Sequence, residues 1–302
     1  MEVLGKNKNF LAIDSKFSSF NDSQIVVLPI PYESTTSYGK GTIDGPREIL
    51  RASAYVEFYD EETNKELCFE KGIATIKQLK LKKLSHFEAF NEIQSFVSRI
   101  LDTNKFLVCI GGEHSITYPI VKTFYNRYPQ MSILQFDAHS DLRQVYEGNP
   151  FSHACVMARI IDFFPPERLV QVGIRAQCIE ESQLITEKSI KTFYAWKIKQ
   201  NLYGNNWIKS VVDSLSSQVY ITFDVDFFDP SIMPSTGTPE PEGFTFTDAT
   251  NIVREIVKSG RQVIGFDVVE LSPIPSIHHP NFTAARLIYK FLNLIFYPET
   301  QI

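Results

Sequence analysis

Six short, almost wholly apolar runs recur along the chain, at residues 25–30, 106–110, 133–136, 170–172, 219–223 and 263–266. Runs of this length without polar alternation suit strands buried on both faces, the condition of a parallel sheet covered by helices on either side. Helical spacing fills the intervals. Within 115–128, Ile116, Ile120, Val121, Phe124 and Tyr125 fall near one helical face. Within 247–259, Ile252, Val253, Ile256 and Val257 do the same, with Thr247 placed to cap that helix and Gly260 to stop it. Alternating strand and helix predict an α/β fold of three layers, α/β/α, with a mainly parallel central sheet. The first forty residues read as an arm leading into the first strand.

No repeat, low-complexity tract or long flexible linker interrupts this pattern, so residues 1–302 are expected to form one domain. With 43% hydrophobic residues the chain can bury a full core. Its 30 basic and 35 acidic side chains leave a net charge of −5, which disfavours nucleic acid as a partner and favours a small molecule. Cys68, Cys109, Cys155 and Cys178 share no metal-binding spacing and read as buried thiols of a reducing compartment. The N-terminus shows no apolar leader, and no stretch approaches the ~18 apolar residues of a membrane span, so a cytoplasmic protein without membrane contact is expected.

Four of the apolar runs end in unusual polar clusters: GGEHS at 111–115, DAHSD at 137–141, DVD at 224–226 and DVVE at 267–270. Ligands of open α/β sheets bind beyond the carboxyl ends of the strands, so these clusters should converge on one crevice. Asp137, His139 and Asp141 recur at every second residue, as do Asp224 and Asp226, and extended backbone aims each set to one side. With His114 they make two imidazoles and four carboxylates. Taken singly, a DxD is a common surface turn and a histidine after Gly-Gly-Glu a common loop residue. Together, so many carboxylates cannot stay ionised in a buried site unless cations neutralise them. Two divalent ions would do so, and mixed oxygen and nitrogen ligands suit Mn²⁺ ahead of Zn²⁺, Co²⁺ or Ni²⁺.

The stretches GGEHS, ILQFDAHSD and TFDVDFFDPSIMPSTGTPEPEG resemble the three signatures of the ureohydrolase family, which includes arginase, agmatinase and guanidinobutyrase. The resemblance runs from LPIPYESTTSYGKGTIDGPREIL to FDVVELSP and covers most of the chain. It implies the arginase-like form of the α/β/α fold, a homo-oligomer (trimer or hexamer) and two Mn²⁺ per subunit. The implied metal ligands are His114, Asp137, His139, Asp141, Asp224 and Asp226. The implied reaction is attack of a metal-bridging hydroxide on a guanidinium carbon, giving urea and a primary amine. His153, in YEGNPFSHACVM, matches the proton-shuttling histidine, and Glu270, in DVVELSP, matches the glutamate that holds the guanidinium. Both roles make chemical sense: an amine leaving group needs a proton, and a carboxylate can pair bidentately with a planar guanidinium. Glu113 is expected to play a supporting structural role, His86 to lie on the surface, and His278 and His279 to be loop residues.

The segment after DAHSD is similar to the agmatinase branch, which implies hydrolysis of agmatine to putrescine and urea. Agmatine carries a second cation and no carboxylate, and Tyr146 and Glu147 are candidates for the wall its tail needs. Arginine, guanidinobutyrate or aminopropylagmatine remain alternatives, and for a carboxylate-bearing tail Arg143 or Arg159 could supply the cation. A non-catalytic metal-binding paralogue is the alternative outside the enzymes. Phe227 and Phe228 depart from the family pattern and are expected to narrow or reshape the pocket beside the metals, and Glu242 stands where relatives often carry glycine.

Overall fold

In the computed structural model, which describes residues 1–298, all six apolar runs are strands, some longer than the run by up to three residues at one end. The strands are β1 (Ile25–Ile30), β2 (Ile73–Thr75), β3 (Phe106–Gly111), β4 (Ser132–Phe136), β5 (Leu169–Ile174), β6 (Lys191–Tyr194), β7 (Gln218–Asp224) and β8 (Gln262–Val269). They form one sheet in the order β2-β1-β3-β8-β7-β4-β5-β6, with every pairing parallel. The two strands that the sequence pattern does not mark, β2 and β6, are the sheet's edges. β2 has only three residues, and β6 reads Lys-Thr-Phe-Tyr with only Phe193 buried. β2 is buried but too short to stand out as a run, and β6, largely uncovered, needs no continuous apolar run.

Among the described residues ten α-helices flank the strands: α1 (Gly45–Ser53), α2 (Leu67–Lys71), α3 (His86–Leu101), α4 (Thr117–Arg127), α5 (Val156–Ile161), α6 (Ile179–Lys188), α7 (Ala195–Lys199), α8 (Trp207–Asp213), α9 (Phe246–Lys258) and, after the last strand, α10 (His279–Phe296). α1, α8, α9 and α10 pack together on one face, over a core holding Ile25, Val27, Phe136, Phe223 and Phe266. α3, α4 and α5 cover the other face, over Val26, Leu28, Ile30, Cys109 and Tyr220. Successive residues of β1 thus feed opposite cores, which is why its run shows no polar alternation. The N-terminal arm covers the β2 edge. Leu4 N donates to Thr75 O at 2.8 Å, Phe10 N to Thr75 Oγ1 at 2.8 Å, and Phe10 and Leu11 are fully buried.

Several local expectations are corrected. The cap of α9 is Thr245, whose Oγ1 accepts from Asp248 N at 3.2 Å while Asp248 Oδ2 accepts from Thr245 N at 2.8 Å. This reciprocal box needs an acidic residue three positions on, so Thr247 falls inside the first turn. Gly260, at φ 79°, does end the helix. His279 opens α10 instead of lying in a loop, because Pro280 suits a helix's first turn. All four cysteines are free, but Cys178 caps α6 and is only partly buried. Among the described residues no helix is long and apolar enough to cross a membrane.

The sheet order places the four polar clusters together. β3, β8, β7 and β4 are consecutive neighbours at the sheet's centre; GGEHS, DAHSD and DVD lie at or just past the carboxyl ends of β3, β4 and β7, whereas DVVE closes β8 itself, with Asp267 inside the strand and Glu270 just beyond it. Phe136 of β4 is in register with Phe223 of β7, so Asp137 and Asp224 emerge side by side.

Candidate active site

The site is built around one nitrogen. His114 Nδ1 lies 3.0 Å from Asp141 Oδ2, 3.2 Å from Asp137 Oδ2 and 3.4 Å from Asp224 Oδ2, in full burial. The other ring nitrogen, Nε2, is 2.9 Å from Thr222 Oγ1, and that hydroxyl donates to Asp267 Oδ1 at 2.7 Å. A hydroxyl has one proton, so Thr222 accepts from Nε2–H, and the Nδ1 lone pair of the neutral ring faces three carboxylates. Among the described residues no hydrogen bond satisfies that nitrogen. A proton on Nδ1 would serve one oxygen of the three, whereas a cation in their midst serves all three and the lone pair. Burial works against charge on His114, but the three carboxylates outweigh it and raise the ring's basicity well above an ordinary imidazole's.

A second group adjoins the first. His139 Nδ1 lies 2.8 Å from Asp226 Oδ2 and 3.7 Å from Asp137 Oδ1, and ligand atoms of Asp137, His139 and Asp226 all fall within 4.8 Å of one another, as do those of His114, Asp137 and Asp224. Asp137 thus belongs to both groups. Burial, together with the charges of Asp141 and Asp226, pushes the Asp137 carboxyl up to about 7, and burial beside Asp226 and Asp137 raises that of Asp224 well above the usual range. Burial acts the same way on Asp226, but the His139 charge and hydrogen bonds from His139 and Ala138 N–H prevail and hold it at about 2.

Backbone geometry fixes these side chains. Asp137 Oδ1 accepts from His139 N at 2.6 Å, Asp226 Oδ1 from Ala138 N at 2.9 Å, and Asp224 Oδ1 from Asp226 N at 2.8 Å. Asp141 adopts the left-handed conformation, φ 54°, that L-residues rarely take. Such strain persists where the surroundings dictate it, commonly at functional sites.

A cavity of about 490 Å³ opens over both groups, and His153, Glu270 and Tyr146 line it. Glu270 is also left-handed, φ 64°, and its Oε1 accepts from His114 N at 2.6 Å. Burial, then the nearby Glu113 carboxylate, pushes its carboxyl well above the ordinary value. His153 Nδ1 sits 3.2 Å from Thr35 Oγ1, and its ring meets Tyr146 edge-on at 5.8 Å.

Glu147 does not reach the cavity. Tyr146 and Asn149 exchange backbone hydrogen bonds of 3.1 and 2.9 Å around Glu147 and Gly148, both at positive φ, and this tight turn exposes Glu147 at its tip. Glu181 and Glu240 also line the cavity, Glu240 Oε1 lying 3.9 Å from His139 Nε2 and both Glu181 oxygens accepting backbone N–H groups, of Leu142 and Cys178. Phe227 and Phe228 do not narrow it, for both are buried in an aromatic core with Phe223 and Phe244, where Phe227 stacks on Phe244 at 4.8 Å. The tight turn at 225–227 rotates them away from the strand ends. Glu242 is exposed and tolerates φ 62°, a conformation better suited to glycine. Arg143 lines the cavity, whereas Arg159 pairs with Asp162 at 3.2 Å. His86 is partly buried instead of lying free on the surface, with Nδ1 2.6 Å from Tyr32 Oη and Nε2 2.9 Å from Asn149 Nδ2.

Sequence reasoning missed Thr35, Thr222 and the orienting carboxylate of Asp267. Asp267 carried a signal, an acid inside an otherwise apolar strand, but the two threonines carried none.

The sequence model described as "Arginase family" matches residues 23–293. The N(1)-aminopropylagmatine ureohydrolase of Synechocystis sp. is 38% identical over 300 residues, covering 97% of this chain and 95% of its own. The agmatinase of Bacillus cereus is 33% identical over 264 residues, covering 85% and 86%. Among solved structures, the agmatine ureohydrolase of Thermoplasma volcanium superposes with a TM-score of 0.85 at 29% identity, covering 96% of this chain and 94% of that one.

Proposed function

This chain belongs to the arginase family, and we propose that it is a two-manganese hydrolase that cleaves the guanidinium of a small substrate with a cationic tail, releasing urea and an amine. The observation that carries the reading is the lone pair of His114 Nδ1, set against Asp137, Asp141 and Asp224 and beside a cavity that also holds Glu270 and His153. His114, Asp137, Asp141 and Asp224 would hold one ion, and Asp137, His139 and Asp226 the other. Hard carboxylates mixed with imidazoles suit manganese. When bound, the ions supply a nucleophile drawn from water near neutral pH.

The side chains do the rest. Glu270 is buried with a raised proton affinity, so a guanidinium entering the cavity stabilises its ionised form and is held in a fork of paired hydrogen bonds. The His114 N–H already fixes one Glu270 oxygen, which sets the plane in which the guanidinium lies. His153 gives a proton to the nitrogen of the breaking C–N bond, so that the amine leaves and the remaining carbon, now bearing the oxygen of water, departs as urea. Because Nδ1 of His153 is engaged by Thr35, Nε2 is the nitrogen that carries this proton.

The cavity wall carries both signs, Glu240 and Tyr146 standing with Arg143 and Arg175, and the cationic tail is the reading that the names of the two relatives support. Agmatine, yielding putrescine, fits that chemistry. N(1)-aminopropylagmatine, yielding the corresponding triamine, is a second reading, supported by the 38% identity with the Synechocystis enzyme along nearly the whole chain. Urea release by the manganese-loaded protein, measured against both compounds, arginine and guanidinobutyrate with a chelated control, tests the proposal. Metal-dependent urea from one of the two cationic-tailed compounds is expected. Urea from none of the four, with two metals bound, overturns it.

A further inference from the structure

We propose that Thr35 is a positioning residue that fixes which nitrogen of His153 carries the working proton. The inference rests on His153 being the proton donor in the reading above. Thr35 lies in the loop after β1, 118 positions from His153, yet the two meet twice: His153 N donates to Thr35 Oγ1 at 3.0 Å, and His153 Nδ1 lies 3.2 Å from the same oxygen.

The direction of the second contact follows from the third partner. Glu113 is fully buried, and its Oε1 accepts the Thr35 hydroxyl at 2.9 Å and the Ser115 hydroxyl at 2.6 Å. Its Oε2 accepts the backbone N–H groups of Ser34 and Thr35, each at 2.6 Å. The single proton of Thr35 is thus committed to the nearer carboxylate. Its oxygen can only accept from His153, which requires Nδ1 to be the protonated nitrogen. Among the described residues, only Ser152 also comes within hydrogen-bond distance of Nδ1, at 3.3 Å, and its hydroxyl can rotate to accept as well. Neutral His153 is therefore the Nδ1–H tautomer, with the Nε2 lone pair left for the proton that the reaction moves.

The same contact supports the protonated ring, since Nδ1–H donates to Thr35 in both charge states. Of titratable groups, Tyr146 meets the ring edge-on and Glu113 stands behind Thr35, while carboxylates and arginines, Asp141, Arg143 and Glu270 among them, share the cavity wall with it. None of them accepts from Nδ1. Thr35→Val removes the nearer acceptor and the one whose own proton is committed elsewhere, leaves only the Ser152 hydroxyl, which can donate as readily as accept, and so frees the neutral ring to protonate Nε2 and weakens support for the imidazolium.

The test compares Thr35→Val, Thr35→Ser and His153→Asn in the manganese-loaded full chain, with bound metal measured in each. Thr35→Val should lower kcat roughly ten- to hundredfold, the scale of one hydrogen bond to a charged group, with KM changed less than about twofold. The alkaline limb of its kcat profile should move to lower pH, because the imidazolium it requires has lost a partner. Thr35→Ser should restore both kcat and the limb. A Thr35→Val protein with wild-type kcat and pH profile overturns the proposal while His153→Asn remains impaired. A Thr35→Ser protein with reduced kcat or a displaced limb overturns it too, even if the valine variant does not fold. Undiminished kcat in His153→Asn overturns both this inference and the reading it rests on.

Discussion

At the scale of single residues, the ligand geometry depends on groups that touch no substrate. Asp267 accepts hydrogen bonds from Tyr220 Oη at 2.7 Å, Thr222 Oγ1 at 2.7 Å and Thr117 Oγ1 at 3.2 Å. Its negative charge is what commits the Thr222 proton and turns the His114 lone pair toward the carboxylates. Partners that orient a ligand in this way typically matter by about 10–100-fold in metal affinity. Asp267→Asn keeps the shape and loses the charge, so manganese affinity measured by calorimetry should fall by roughly tenfold. An unchanged affinity would remove Asp267 from the site's account. Replacing Asp137 itself by Asn should abolish metal-dependent urea release, since Asp137 serves both groups. The raised carboxyls of Asp137, up to about 7, and of Asp224 mean that the metal-free site holds protons at neutral pH. A metal needs those oxygens deprotonated, so its affinity should weaken as pH falls through about 7 and below, and loading the protein near pH 7 should release protons. A pH-stat titration with Mn²⁺ that shows no proton release would contradict this.

At the scale of elements, the strands legible in sequence are the longer ones buried on both faces, and the clusters legible as a site are those at their carboxyl ends. The reason is physical. A central parallel strand leaves a nearly continuous apolar run, so charges at its carboxyl end stand out, whereas β2, buried but only three residues long, and β6, largely uncovered, leave no such run. The outcome for Phe227, Phe228 and Glu147 shows the limit of that legibility. Whether a side chain after a strand turns into the crevice or into the core depends on one tight turn, and spacing alone does not specify that turn. The contact of Thr35 with His153 joins two loops 118 residues apart, and no local pattern encodes it. Another such clasp holds the turn bearing Tyr146. Asn149 Oδ1 accepts from Phe151 N at 2.9 Å, which leaves its Nδ2 to donate to His86 Nε2, while His86 Nδ1 faces Tyr32 Oη. The first residue of α3 thus anchors the turn that carries a wall of the cavity. His86→Ala should loosen that wall and raise KM for the preferred guanidine by roughly two- to tenfold, the worth of one hydrogen bond, with a smaller change in kcat. Steady-state kinetics with an unaltered KM would show that the turn stands without the clasp.

At the scale of the molecule, the crevice exists because the chain crosses the sheet and returns, which leaves β3, β8, β7 and β4 adjacent. The return ends in α10, which packs on both α1 and α9, so holding that helix in place holds the face of the sheet opposite α3 and α4. A charged cluster on α10 and α9 secures it to the segment at 60–62. Lys290 Nζ lies 2.9 Å from both oxygens of the fully buried Asp60 and 2.8 Å from Glu62 Oε2, and Arg254 donates to both Glu62 oxygens at 2.5 and 2.8 Å. The Arg254 hydrogen bond, opposed in part by burial and aided by Lys290, holds the Glu62 carboxyl at about 2. A carboxyl depressed in the folded state, against about 4.3 in an unfolded chain, contributes stability that is complete above the unfolded value and is lost as pH falls toward the folded one. Urea unfolding should therefore show a stability decrement between about pH 4.3 and about 2 that Glu62→Gln removes. Lys290→Met tests the buried partner. It leaves Asp60 with Arg286 Nη2, at 3.6 Å, as its nearest cation, and breaking a buried pair from one side costs about 3–5 kcal/mol. The double change Lys290→Met with Asp60→Leu removes both charges and should recover much of that loss, because an apolar pair needs no ionic partner. If the single change costs less than about 1 kcal/mol, the range of an exposed pair, the cluster does not secure α10 and the helix is held by its apolar face alone.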